Sequence, residues 1–161
     1  AGEMTIWDSL AICEYLAEQF PDKPLWPRDV AARALARSVC AEMHSSFGSL
    51  RTTMSMNIKG SYPGKGRTPA TQADIGRISE MWEECLSRFG HNEFLFGEFS
   101  IADAFFAPVV CRFKTYGVVL PPALAAYCER MRNHPAVDAW IAGALAETET
   151  APLHDAEMPD D

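Results

Sequence analysis

No apolar run in this 161-residue sequence approaches the length of a membrane span, and no charged-then-apolar leader opens it. With no span and no leader, the expected place of action is the cytoplasm, with no membrane partner. Cations are scarce. Lys and Arg number 14 against 22 Asp and Glu, a formal net charge of −8. Phosphate binding needs a surplus of Lys and Arg on one face, so nucleic acid is excluded as the expected partner. The five cysteines, an odd number without a CxxC pair, fit neither a disulfide framework nor a zinc site. Cys13, Cys40, Cys85, Cys111 and Cys128 all fall in segments with helical patterning. They read as small apolar core residues in a reducing compartment, and no metal is expected.

Repeats and low-complexity tracts are absent too. What is present is apolar spacing of three to four residues almost throughout, the pattern of an all-α chain. The start is the exception. Met4-Thr5-Ile6-Trp7 reads as a short strand, and Asp8-Ser9 then opens a helix whose apolar face is Ile12, Tyr15, Leu16 and Phe20. A lone strand has no ladder partner and its helix no sheet to cover. The chain also begins at Ala1 rather than Met, and the expectation is that the rest of this sheet lies upstream.

Pro21 and Pro24 stop the first helix, and an apolar linker follows over 21–28. Asp29 is the expected N-cap of a long helix running to about Met56, with Leu35, Val39, Met43, Phe47, Leu50 and Met54 as its buried stripe. After a Gly/Pro loop, Thr68-Pro69 starts a helix expected to reach Phe89. Three more are expected: Ser100 to Tyr116, ended by Gly117; Pro122 to Arg132; and Pro135 to about Glu147. Residues 149–161 form an acidic tail expected to be disordered.

Three local patterns carry possible chemistry. Ser100 and Asp103 form a capping box with Asp in place of the usual Glu. Asp8-Ser9 at the mouth of a helix is either a plain cap or a grip for an α-amino acid head group. In the second reading the helix N-terminus and the Ser hydroxyl hold the carboxylate, and Asp8 holds the ammonium. Arg37, His44 and Arg51, seven apart, would share one face of the long helix. They would span about 21 Å, so the arginines read as solvated. Between them His44 is either a packing histidine or a hydrogen-bond donor to an anion or thiolate.

Taken in order, these stretches resemble glutathione transferases. Trp7-Asp8-Ser9-Leu10-Ala11-Ile12 with Tyr15-Leu16 resembles the end of that family's thioredoxin-like domain, where an acidic residue or Gln followed by Ser grips the γ-glutamyl end of glutathione. Phe96 to Asp103 resembles the family's capping box at its central core helix. Glu42-Met43-His44-Ser45-Ser46-Phe47 is similar to the stretch of bacterial beta-class enzymes whose histidine lies near the glutathione sulfur, although Ser45 stands where those enzymes commonly carry a basic residue. Asn133-His134-Pro135 with Trp140 is similar to the closing helices.

The resemblance implies the C-terminal helical bundle of a glutathione transferase (29–148), preceded by the last strand and helix of a truncated thioredoxin-like domain (1–20). It implies a homodimer that uses glutathione as co-substrate against a small electrophile. Its site residues would be Asp8 and Ser9 on the γ-glutamyl group and His44 near the sulfur, with Met43, Phe47, Arg112 and Tyr116 lining the electrophile pocket. The family's activating Cys, Ser or Tyr has no counterpart in these 161 residues, so the chain alone is expected to be inactive. The other readings are a non-catalytic docking module and a glutathione-dependent isomerase or reductase on the same fold.

Overall fold

The computed structural model describes residues 4–91 and 93–149. Within them the chain is helical, with seven α-helices and no strand. The expected strand over Met4–Trp7 is a correction: these residues carry no ladder, and an extended segment without a hydrogen-bonding neighbour is not a strand. The acidic tail expected to be disordered lies, but for Glu149, outside the described residues. The chain divides into two compact units, one made of Ala1–Ser46 and Cys85–Phe105, the other of Phe47–Glu84 and Phe106–Asp161.

In the first unit, α1 (Ser9–Gln19) leaves its apolar side uncovered. None of its residues is buried, and Ile12, Leu16 and Phe20 are all exposed. Helix α2 (Val30–Ser45) starts where expected: the Asp29 carboxylate accepts from the Ala32 amide at 2.8 Å. Its buried stripe is Ala32, Ala36, Val39, Cys40 and Met43, and Leu35 is only half-buried.

The expected long helix to Met56 does not form; it breaks after Ser45. Ser46 is extended, and Phe47 sits at φ 65°, in left-handed space that a bulky residue enters only when packing holds it there. Phe47 is buried, which supplies that hold. The Ser45 hydroxyl bonds the Ala41 carbonyl at 2.8 Å, the back-bonding that weakens a helix end. Arg51 therefore belongs to a different helix, and the single face expected for Arg37, His44 and Arg51 does not exist.

The second unit opens with that helix, α3 (Gly48–Thr53). Its start leaves the Leu50 amide without a helical acceptor, and Asp74 takes it at 2.8 Å. Helix α4 (Pro69–Cys85) is capped by Thr68, whose hydroxyl accepts from the Thr71 amide at 3.1 Å. It then widens into a π-helical turn, Leu86–Gly90, rather than continuing as α-helix to Phe89.

Helix α5 (Ile101–Thr115) is continuous through Pro108 and is the most buried element. Gly117 ends it at φ 61°, and the Val118 amide reaches back to the Phe113 carbonyl at 2.9 Å, the bond that closes a Schellman turn. Helices α6 (Pro122–Asn133) and α7 (Pro135–Ala146) each begin on proline and pack on one another. Around Trp82, which is wholly buried, stand Phe106, Phe113 and Tyr127, with ring centroids 5.1–5.6 Å away. Phe106 and Tyr127 meet it edge-on and Phe113 at a tilt, and this aromatic packing anchors the unit's core.

Candidate functional site

The first unit brings Asp8, Ser9 and His44 together. Asp8 is the N-cap of α1 at φ 74°, ψ 127°, a backbone conformation that L-residues rarely adopt. One carboxylate oxygen, Oδ1, accepts from the Leu10 and Ala11 amides at 2.9 and 3.2 Å. The other, Oδ2, faces His44 Nε2 at 2.9 Å. The Ser9 hydroxyl lies 3.5 Å from the second ring nitrogen, Nδ1. A single imidazole in the last turn of α2 thus touches both residues at the mouth of α1. Asp8 and His44 each keep 39 % of their side-chain surface open, so the group is reachable from solvent.

The amide hydrogen bonds from Ala11 and Leu10, with His44 beside them, hold the Asp8 carboxyl below the usual carboxylate range against the smaller opposing pull of burial. A depressed folded-state pKa contributes stability that is complete above the unfolded value and is lost as pH falls through the folded one. The cap should accordingly outlast an ordinary aspartate on acidification. An acid titration followed by NMR should show the Leu10 and Ala11 amides holding their shifts until pH drops below the usual aspartate range; loss within that range would contradict the cap.

Capping and the head-group reading of Asp8-Ser9 would use different atoms. Oδ1 performs the capping, while Oδ2 and the Ser9 hydroxyl lie outside the helix's own hydrogen bonds and point to the imidazole.

A second link ties the same two helices. Arg37 Nε and Nη2 donate to the two Glu14 oxygens at 2.8 Å each, and the guanidinium lies 5.6 Å from the centre of the Trp26 ring. This pair was not foreseen; opposite charges on successive helices were its only signal. The adjoining cleft of about 320 Å³ is lined by Glu14, Lys23, Trp26, Arg28, Arg33 and Arg37 among others, at the far end of α1 from Asp8 and Ser9.

The four residues expected to line an electrophile pocket are placed as follows. Met43, Phe47 and Tyr116 expose 5 % of their surface or less. The Tyr116 hydroxyl is 3.3 Å from that of Ser55, and its ring packs on Tyr62. Arg112 is half-buried and donates to the Met54 carbonyl.

The capping box holds on its carboxylate side. Asp103 Oδ2 accepts from the Ser100 amide at 2.9 Å and from the Ser100 hydroxyl at 3.1 Å. Its other oxygen accepts from the Leu95 amide at 3.1 Å, a contact with no local sequence signal. Asp103 is completely buried and fastens the loop before α5 to the first turn of that helix.

The five cysteines are thiols rather than disulfides. Burial pushes the Cys13, Cys40 and Cys111 thiols up and raises that of Cys128 to about 12, so these four are packing groups rather than thiolates. Among the described residues no cluster of His, Cys, Asp and Glu could hold a metal ion, and no helix is long and apolar enough to cross a membrane.

The all-helical fold matches that of a glutathione transferase C-terminal domain. The family model for the glutathione S-transferase C-terminal domain matches residues 67–143. Glutathione S-transferase GstB of Escherichia coli (strain K12) is 27 % identical over 146 residues, covering 84 % of this chain and 67 % of that protein. Glutathione S-transferase 1 of Dianthus caryophyllus is 56 % identical over 34 residues, covering 21 % of this chain and 15 % of its own. The crystal structure of a glutathione transferase homologue from Burkholderia, with bound glutathione, superposes with a TM-score of 0.65 at 27 % identity, covering 91 % of this chain and 71 % of that one. The chain thus matches the glutathione S-transferase C-terminal domain over 67–143 and is similar to glutathione transferases over most of its length.

Proposed function

We propose that the protein is a glutathione-conjugating enzyme, cytoplasmic and homodimeric, and that this chain supplies the γ-glutamyl end of its glutathione site. The observation that carries the reading is the convergence of Asp8, Ser9 and His44 at the mouth of α1. A γ-glutamyl group presents an ammonium and a carboxylate on one carbon. Asp8 Oδ2 takes the ammonium. The Ser9 hydroxyl takes the carboxylate, with the positive end of α1 behind it.

His44 was expected near the glutathione sulfur. With both ring nitrogens turned to Asp8 and Ser9, its proposed task is at the γ-glutamyl end instead. Among the four residues expected at the electrophile, Arg112 is the one that is not buried, and it is the proposed contact there. Conjugation itself forms a carbon–sulfur bond as the thiol gives up its proton and the electrophile's leaving group departs with its electron pair. A thiol is mostly protonated at neutral pH and needs an activating group. On this reading the activating group comes from a part of the site outside these residues, so this chain alone should turn over a generic aryl halide negligibly.

The test is Ser9→Ala. Glutathione affinity by isothermal titration calorimetry should fall about tenfold, as for a hydrogen bond to a charged group. The melting temperature should stay nearly constant, because Asp8 rather than Ser9 caps the helix. A variant that loses stability while keeping its affinity would return Ser9 to a purely structural role.

A further inference from the structure

The Asp8, Ser9 and His44 side chains meet in an order that carries chemistry of its own. His44 lies between a carboxylate and a hydroxyl: Nε2 is 2.9 Å from Asp8 Oδ2, and Nδ1 is 3.5 Å from Ser9 Oγ. A neutral imidazole has one N–H, and the carboxylate holds it on Nε2. The lone pair of Nδ1 is thereby left facing the Ser9 hydroxyl. This is the relation of acid, base and nucleophile in a Ser-His-Asp triad, with the two ring nitrogens exchanged. Hydrogen bonds between base and nucleophile are often long before substrate binds and tighten with it, so 3.5 Å is within reach.

Two further observations agree with a nucleophile at Ser9. Asp8, directly before it, holds φ 74° and ψ 127°, which turns the chain sharply into α1 and leaves Ser9 exposed at the turn. A nucleophile elbow likewise presents its serine on a strained turn into a helix. The first amides of a helix have no acceptor inside it. Asp8 Oδ1 takes those of Leu10 and Ala11, which leaves the amide of Ser9 itself, at the positive end of α1, for a developing oxyanion.

We propose that Ser9 is the nucleophile of a small-ester hydrolase activity that needs no glutathione, with His44 as its base and Asp8 as the residue that positions His44. The Ser9 hydroxyl attacks the ester's carbonyl carbon as its proton passes to Nδ1, and the carbonyl π pair moves onto oxygen. When that pair returns, the bond to the alcohol breaks and the alcohol leaves with the proton from Nδ1. Water, deprotonated by the same nitrogen, then attacks the acyl carbon on Ser9 and releases the acid, restoring the serine. Asp8 and His44 are both part-exposed, which suits a small acyl group arriving from solvent.

An alkyl fluorophosphonate reads the first step alone: Ser9 Oγ bonds to phosphorus as fluoride departs and Nδ1 takes the proton. With glutathione absent, the full chain should take up the phosphonate, and peptide mass spectrometry should place it on Ser9. Ser9→Ala should lose the label. His44→Ala should slow labelling on the order of a hundredfold, the lower range for a general base. His44→Gln keeps a hydrogen-bond donor for Asp8 but no base; it should slow labelling equally, and it is the readout should the alanine variant not fold. Asp8→Asn keeps an oxygen for the cap and turns an N–H toward the ring, so it should move the imidazole proton to Nδ1. Nitrogen NMR should show that change of tautomer alongside a similar loss of labelling. The wild-type chain should also hydrolyse p-nitrophenyl acetate and carry a transient acetyl group on Ser9. A Ser9 that stays unlabelled, or that is labelled as fast in the His44 variants, overturns the proposal. Because no glutathione is present, neither result bears on the conjugation reading.

Discussion

Asp103→Ala should lower the stability of the protein by about 3–5 kcal/mol, the largest loss expected of any single change to its polar groups. The carboxylate is fully buried, and among the described residues it accepts from the Leu95 amide, the Ser100 amide and the Ser100 hydroxyl. Leu95 and Ser100 are buried as well, so removal leaves their donors without an acceptor and without water. A buried donor stranded in this way costs roughly 1–3 kcal/mol, and here several are stranded at once. In a chain of this size the melting temperature should fall by roughly 10 °C. Asp103→Asn keeps one carbonyl oxygen but turns an amide N–H toward another donor, so its melting point should lie between wild type and the alanine variant. An alanine variant melting within a degree or two of wild type would mean that this carboxylate does not hold the loop to α5.

The comparison of Asp103 with Asp8 shows how unevenly the sequence discloses its own chemistry. Both are caps and both were legible as such, because a cap is a local event: side chain and amides lie within three residues of each other. The helix starts at Asp29, Pro69, Pro122 and Pro135 were readable for the same reason, and so was the stop at Gly117. Their second partners were not. The reach of Asp103 to Leu95, of Asp8 to His44 and of Glu14 to Arg37 spans 8, 36 and 23 residues, distances over which spacing carries no information.

The break at Phe47 escaped for a different reason. Apolar spacing at three to four residues persists through Val39, Met43, Phe47, Leu50 and Met54, and all five are buried. Periodicity reports which residues face a core, and it is blind to a single left-handed residue that restarts the helix. The strand expected at Met4–Trp7 fails on the opposite ground. β-Prone residues make a strand only where a neighbour completes the ladder, and none of the described residues does so. Family resemblance reached further than spacing did, placing Asp8, Ser9 and His44 on one short list from stretches 35 residues apart.

Asp8→Ala should abolish most glutathione affinity, on the order of a hundredfold, well beyond the loss expected for Ser9→Ala. The change removes three things together. The ammonium of the ligand loses its counter-charge at Oδ2. The Leu10 and Ala11 amides lose their acceptor at Oδ1, so the first turn of α1, which should present the Ser9 hydroxyl to the ligand's carboxylate, loses its cap. His44 loses its carboxylate partner and keeps only the Ser9 hydroxyl of the two. Asp8→Asn isolates the first of these, because its amide oxygen can go on capping while the charge is gone; it should fall between Ser9→Ala and Asp8→Ala in affinity and keep the wild-type helix content by circular dichroism. An Asp8→Ala protein that binds glutathione as tightly as Ser9→Ala would show that the carboxylate serves the helix alone. The ammonium would then have to be recognised from elsewhere in the protein.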